Sequence, residues 1–155
     1  MKTLILYATK NGAAREIAER IAKITGGIIH DLSNENTPDL SHFDCIILGS
    51  SIYVGMVRKE LKTFLEKNAD NIRDKKLGLF VSGLDESSEK EYFKNNFSAE
   101  IINAAKAMSF LGGIFDPKKA GFFGRLVMKA AAKKSEYTNT ISDEKIKQFA
   151  EVMKI

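Results

Sequence analysis

The sequence predicts an α/β fold, a doubly wound parallel sheet with helices on both faces. Three observations carry that prediction. Four short runs are apolar without alternation: "TLILYA" (3–8), "CIILGS" (45–50), "LGLFVS" (77–82) and "MSFLGG" (108–113). Continuous apolarity means burial on both faces, which parallel strands between two helical layers provide. Amphipathic stretches of helical period separate these runs, and such alternation argues for crossover connections within one sheet. Finally, 155 residues with 44% apolar, 28% charged and only 2 Pro can bury a core as a single domain spanning 1–155.

The elements follow in order. The first run is a strand, and Ala14–Ile24 is a helix with Ile17, Ile21, Ala22 and Ile24 at helical spacing. A weaker strand, "GIIHDL" (27–32), fits between the first and second runs. Val57–Lys67 places Val57, Leu61, Phe64 and Leu65 on one helical face, and Glu89–Ala107 does the same with Tyr92, Phe93, Phe97, Ile101 and Ile102. After the last run comes an insertion at about 114–140. Ser142–Lys154 then closes the chain as a helix with a Ser N-cap and acids in its first turn. There is no internal repeat and no linker.

Composition excludes several classes. No run approaches the roughly 18 apolar residues of a membrane span. The N-terminal apolar run breaks into a polar loop before it could serve as a signal peptide. The chain is therefore read as cytoplasmic. Cys45, alone, can form neither an internal disulfide nor a CxxC pair and reads as a small buried hydrophobe. His30 and His42 have no ligand spacing around them, so no metal is expected. Residues Ile114–Glu136 hold six basic and two acidic residues, leaving 18 of each sign elsewhere. The net charge of +4 thus sits in that one stretch.

In doubly wound sheets ligands bind beyond the carboxyl ends of the strands, which directs attention to loops 8–14, 50–57, 83–88 and 114 onward. "ATKNGAAR" offers a hydroxyl, an amide, a flexible Gly and backbone N–H groups, then opens a helix whose N-terminal amides attract an anion such as phosphate. It is neither GxxxxGK[ST] nor GxGxxG, and a plain βα turn is the competing reading. "GSSIYVGM" sets Tyr53 between hydroxyls and glycines, where an aromatic covers a flat heterocycle or packs on a helix. "SGLDESS" is polar, then acidic, and serves equally as a helix cap.

Together these loops resemble the flavodoxin family in element order over essentially the whole chain. The resemblance implies a five-stranded parallel sheet of order 2-1-3-4-5 and a non-covalent FMN. Carried over, Thr9, Lys10, Asn11, Gly12, Ala13 and Ala14 form the phosphate loop. Ser51, Ile52, Tyr53 and Gly55 line the flavin ring, and Ser82, Gly83 and Asp85 its far side. Flavodoxins usually have Thr where this chain has Asn11 and Ala14, and they are acidic where this chain has a pI of about 9.1. The third loop also lacks their stacking Tyr unless Tyr92 reaches back. These departures, with "MKTLIL", "ATKNGAAREIA" and "GSSIYVGMVRKELKTFLEKNA", resemble the flavodoxin-type, menaquinone-dependent protoporphyrinogen oxidases.

The insertion is expected to be a basic amphipathic helix. Phe122, Leu126 and Ala130, with Phe123, Val127 and Ala131, are read as one face, and Arg125, Lys129 and Lys133 as a basic stripe on another. Such a helix can lie on an anionic membrane surface, grip a porphyrinogen's propionates or an acidic partner, or pack on the sheet edge with solvated lysines. No residue presents itself as acid, base or nucleophile, so no catalytic residue is assigned. The expectation is an FMN-binding redox protein serving a partner protein or a quinone, with quinone-dependent protoporphyrinogen oxidation as the alternative. Phosphoacceptor signalling is excluded by "YATKNG" and "LGSS", where acidic residues would be needed. Nothing supports nucleic-acid binding.

Overall fold

The computed structural model describes residues 1–119, 121–131 and 136–155. Its centre is a parallel sheet of β1 (Thr3–Ala8), β2 (Ile28–Asp31), β3 (Cys45–Tyr53), β5 (Lys76–Ser82) and β6 (Ala105–Phe110). They run in the order β2-β1-β3-β5-β6, which is the expected 2-1-3-4-5 order of the five parallel strands. A short strand, β4 (Met56–Val57), is added as an antiparallel hairpin on the end of β3. The sheet is apolar on both sides because a different layer covers each. Leu4, Leu6, Ile46, Leu48, Leu79 and Val81 face α2 (Lys59–Ile72), α3 (Glu89–Asn96) and α4 (Ala99–Ala104). Ile5, Tyr7, Cys45, Ile47 and Phe80 face α1 (Ala13–Thr25) and α6 (Asp143–Lys154). The alternation of neighbours along each strand is the period of two that sends successive side chains to opposite faces.

Close approach sets residue size at one central position. A Cβ on Gly49 would lie 1.9 Å from Cζ of Phe80, so the Phe80 ring fills the space a side chain would take. That ring also packs edge-on against Phe149, with centroids 6.4 Å apart. An ion pair from Arg20 to Asp143 (2.7 Å) joins the first and last helices, and Glu16, one turn before Arg20 on α1, pairs with the same guanidinium.

Two expectations need correction. The helix expected over Glu89–Ala107 is two short helices, because the chain is extended at Phe97 and restarts at Ser98, whose hydroxyl caps Ile101 N–H. The break lets Phe97 turn inward onto Phe93, 5.9 Å between centroids. It also starts the last parallel strand at Ala105, three residues before the apolar run expected to form it. The second correction is that Arg125 and Lys129 do not lie on a face separate from Phe122 and Leu126. All four are exposed on α5 (Gly121–Ala131), and at 3.6 residues per turn they fall within about 60° of Phe122. Lys133, the third member of the expected basic stripe, lies outside the described residues.

The insertion leaves and re-enters through a two-stranded antiparallel ribbon, β7 (Ile114–Phe115) with β8 (Thr138–Asn139). Backbone bonds fasten its base to the sheet. Thr140 N–H donates to Gly113 C=O (2.8 Å), Ser142 N–H to Leu111 C=O (3.1 Å) and Gly83 N–H to Gly112 C=O (3.1 Å).

Candidate functional site

The loops at the carboxyl ends of β1, β3 and β5 meet in one cavity, as the strand order requires at the point where it reverses. Lys10, Asn11 and Ala13 line it from the first loop; Ser51, Ile52, Tyr53 and Gly55 from the second; Ser82, Gly83 and Asp85 from the third. Thr9, Gly12 and Ala14 do not line it. Thr9 instead shapes its own loop, its hydroxyl accepting from Gly12 N–H at 2.9 Å, and Ala14 is fully buried against the sheet. Gly12 adopts φ +95 as the N-cap of α1 and offers no side chain, so the first-turn amides of that helix have no side-chain cap. Such amides lack intrahelical acceptors and sit at the positive end of the dipole. With Asn11 lining the cavity from the same loop, these amides suit a phosphate, while the Lys10 ammonium is held over Tyr53.

The middle of the cavity suits a flat ring. Lys10 Nζ lies over Tyr53, 3.7 Å from the ring centroid, and Lys10 N–H donates to Ser51 Oγ, so the first and second loops are tied together. Tyr92, from α3, lines the cavity and stacks on Phe110 at 6.0 Å. Burial pushes the Tyr92 phenol up, and the Asp85 charge adds to that. Asp85 itself is spent on structure. Its carboxylate accepts from Ser87 N–H and Oγ and from Ser88 Oγ (2.8 Å), holding it below the ordinary carboxylate range, with Ser87 the largest contributor.

The hairpin β3–β4 is the most constrained wall. Its two turn residues, Val54 (φ +50) and Gly55 (φ +76), are both left-handed, the signature of a type I′ turn. Two long-range bonds from Asn96 and one local bond from β3 itself pin it. Asn96 donates to Gly55 C=O (2.9 Å) and accepts from Val57 N–H (2.9 Å), while Ser50 Oγ accepts from Arg58 N–H (2.9 Å). Asn96 and Ser50 were not foreseen, nor were Val54, Leu84, Gly113, Ile114, Phe115 and Gly124 as cavity lining. Only the insertion's position after the last strand could have pointed to the final four. Among the described residues there is no cluster of His, Cys, Asp and Glu able to hold a metal, and no helix long and apolar enough to cross a membrane.

Comparison with known proteins agrees with the fold. The sequence pattern of the flavodoxin domain family matches residues 4–142. The chain is 34% identical over 77 residues to the protoporphyrinogen IX dehydrogenase [quinone] of Escherichia coli K12, covering 46% of this chain and 42% of that protein. The match therefore spans less than half the length of that relative. It is 29% identical over 115 residues to the flavodoxin of Buchnera aphidicola subsp. Baizongia pistaciae, covering 70% of this chain and 66% of the other. Among solved structures, the flavodoxin of Streptococcus pneumonia TIGR4 superposes with a TM-score of 0.61 at 19% identity, over 99% of this chain and 97% of that one. A Fusobacterium nucleatum flavodoxin mutant bound to flavin mononucleotide gives 0.52 at 17%, over 70% and 67%. At these identities the structures establish the fold.

Proposed function

The chain belongs to the flavodoxin domain family, and on that premise we propose that the three loops hold FMN and that residues 1–155 form one redox domain with an insertion at 114–140. FMN is the cofactor, and the protein transfers electrons through it. The observation that carries the site assignment is the meeting of a cationic, amide-rich loop with Tyr53 and Tyr92 in one cavity. When bound, the flavin supplies the redox chemistry. The chain's own residues position it. Lys10, Asn11 and the α1 amides anchor the phosphate, with Thr9 and Gly12 setting the loop's shape. Tyr53 covers the ring, the pinned hairpin with Gly55 fixes the backbone at its edge, and Gly83 lets a ring approach the third loop closely. Asp85 acts by capping that loop.

The visible spectrum of the purified protein, with mass analysis of what denaturation releases, tests this. FMN is expected. Recovery of FAD, or a colourless protein that FMN cannot reconstitute, would overturn it. A second reading, quinone-coupled oxidation of a porphyrinogen, is favoured by the similarity to the dehydrogenase. In that reading Arg125 and Lys129, with Lys133 outside the described residues, meet the substrate's propionates or an anionic surface. Turnover of a porphyrinogen with an added quinone tests it, and its absence leaves a carrier serving a partner protein.

A further inference from the structure

Helix α5 shows solvent a face that a merely solvated helix has no cause to carry. Phe122 is 77% exposed and Leu126 55%, one turn apart, with Arg125 and Lys129 exposed between and beside them. Two large apolar side chains left out of the core at adjacent turns mark an interaction surface, and the interleaved cations select its chemistry. No acidic residue lies between Asp116 and Glu136, and the whole excess positive charge of the chain is in this stretch. A protein partner would have to offer apolar pockets and carboxylates in register with a single convex helix. An anionic bilayer offers both everywhere, at two depths.

We infer that α5 is an interfacial helix: Phe122 and Leu126 enter the headgroup region of an anionic bilayer while Arg125 and Lys129 meet its phosphates. The two basic residues share a helix face with the apolar pair, and long cationic side chains can extend past hydrocarbon to put the charge in its own layer. Gly124, about 160° round the helix from Phe122, lines the cavity. The lipid-facing and cavity-facing sides are thus opposite sides of one helix. Val54, 67% exposed, borders the same cavity from the hairpin. Resting on the reading of that cavity as the flavin site, docking leaves the flavin roughly one helix diameter, about 10 Å, from the headgroups and its redox partner at the membrane.

Sedimentation of the full chain with phosphatidylglycerol vesicles and with phosphatidylcholine vesicles, at low and high salt, tests the inference. Binding to the anionic vesicles alone is expected, weakened by salt. Arg125→Gln with Lys129→Gln should weaken it roughly tenfold or more. Phe122→Ser with Leu126→Ser should weaken it comparably while bound FMN per chain stays at the wild-type level. The chain has no tryptophan, so Phe122→Trp provides a single reporter whose emission moves to the blue on anionic vesicles. No binding by the wild type, or serine variants that bind like the wild type with no blue shift, would overturn it. FMN content is read separately, so a failed cofactor assignment and a failed membrane contact give different results.

Discussion

Val54 is the one non-glycine with positive φ among the described residues, and it is β-branched and exposed. The left-handed region costs such a residue roughly 1–2 kcal/mol, while Asn suits the first central position of a type I′ turn. Val54→Asn should therefore raise stability by about 1 kcal/mol, read as a higher urea midpoint with unchanged slope. A lower midpoint would mean the turn is not held as described. Tyr53→Ala should weaken FMN binding by about 1–3 kcal/mol, the worth of an aromatic stacked on a base, and relieve flavin fluorescence quenching. Unchanged affinity and quenching would place Tyr53 outside the ring's contact. Lys10, Asn11 and Tyr53 were legible in the sequence because chemistry at a strand end is local. Asn96 and Ser50 were not. Asn96 acts on a loop some forty residues away, and only the folded chain creates that contact.

At the scale of elements, Asn96 is the clamp between α3 and the hairpin. Asn96→Ala leaves the Val57 amide unpaired while the exposed Gly55 carbonyl turns to water, a loss of about 1–3 kcal/mol for the one buried group. Thermal unfolding should show it, and a fall in FMN affinity should accompany it because Tyr92 rides on the same helix. If stability falls but affinity holds, the clamp serves the fold alone. The cap at Asp85 makes a pH-dependent contribution. Its folded pKa lies below the ordinary carboxylate value, so its stabilisation is present above the unfolded pKa of about 3.9 and disappears as pH falls through the folded value. The melting temperatures of wild type and Asp85→Ala should differ at neutral pH and converge in acid. A difference that persists in strong acid would contradict the cap.

Strands were easier to read than helices here. Burial on both faces leaves an unmistakable apolar run, and β1 coincides with its run at both ends. The stretch from Glu89 misled because its apolar spacing continues through Ser98. The N-cap there competes with helix continuation, and Phe97 gains more by turning into the core.

At the scale of the whole molecule, the cavity's three loops and the insertion rest on different parts of the frame. The cavity's three strand-end loops are built on the sheet, whereas the insertion adds Ile114, Phe115 and Gly124 at its edge. Replacing residues 117–136 by a short turn should leave the parallel sheet and its cooperative unfolding intact, because bonds on the sheet side of the ribbon hold its base. Far-UV circular dichroism through a thermal ramp checks this, and loss of the cooperative transition would show that the insertion is part of the core. The fold and the three loops were legible in advance, since strand order and strand-end chemistry follow from pattern. The face that α5 turns outward was not, because sequence spacing alone does not say which side of a helix the rest of the chain covers.

The ribbon β7–β8 has a consequence for how such proteins diversify. Its two strands are antiparallel and paired, Ile114 with Asn139 and Phe115 with Thr138, so everything between them begins and ends at nearly the same point in space. Lengthening a segment between fixed, adjacent ends costs little, about 0.6 kcal/mol for each doubling. The ribbon is therefore a socket. A longer, shorter, acidic or neutral cassette can be exchanged there with the first loop and the hairpin unaltered. Exchanging that one segment would change what the outer face of α5 can meet and leave the three strand-end loops where the sheet holds them.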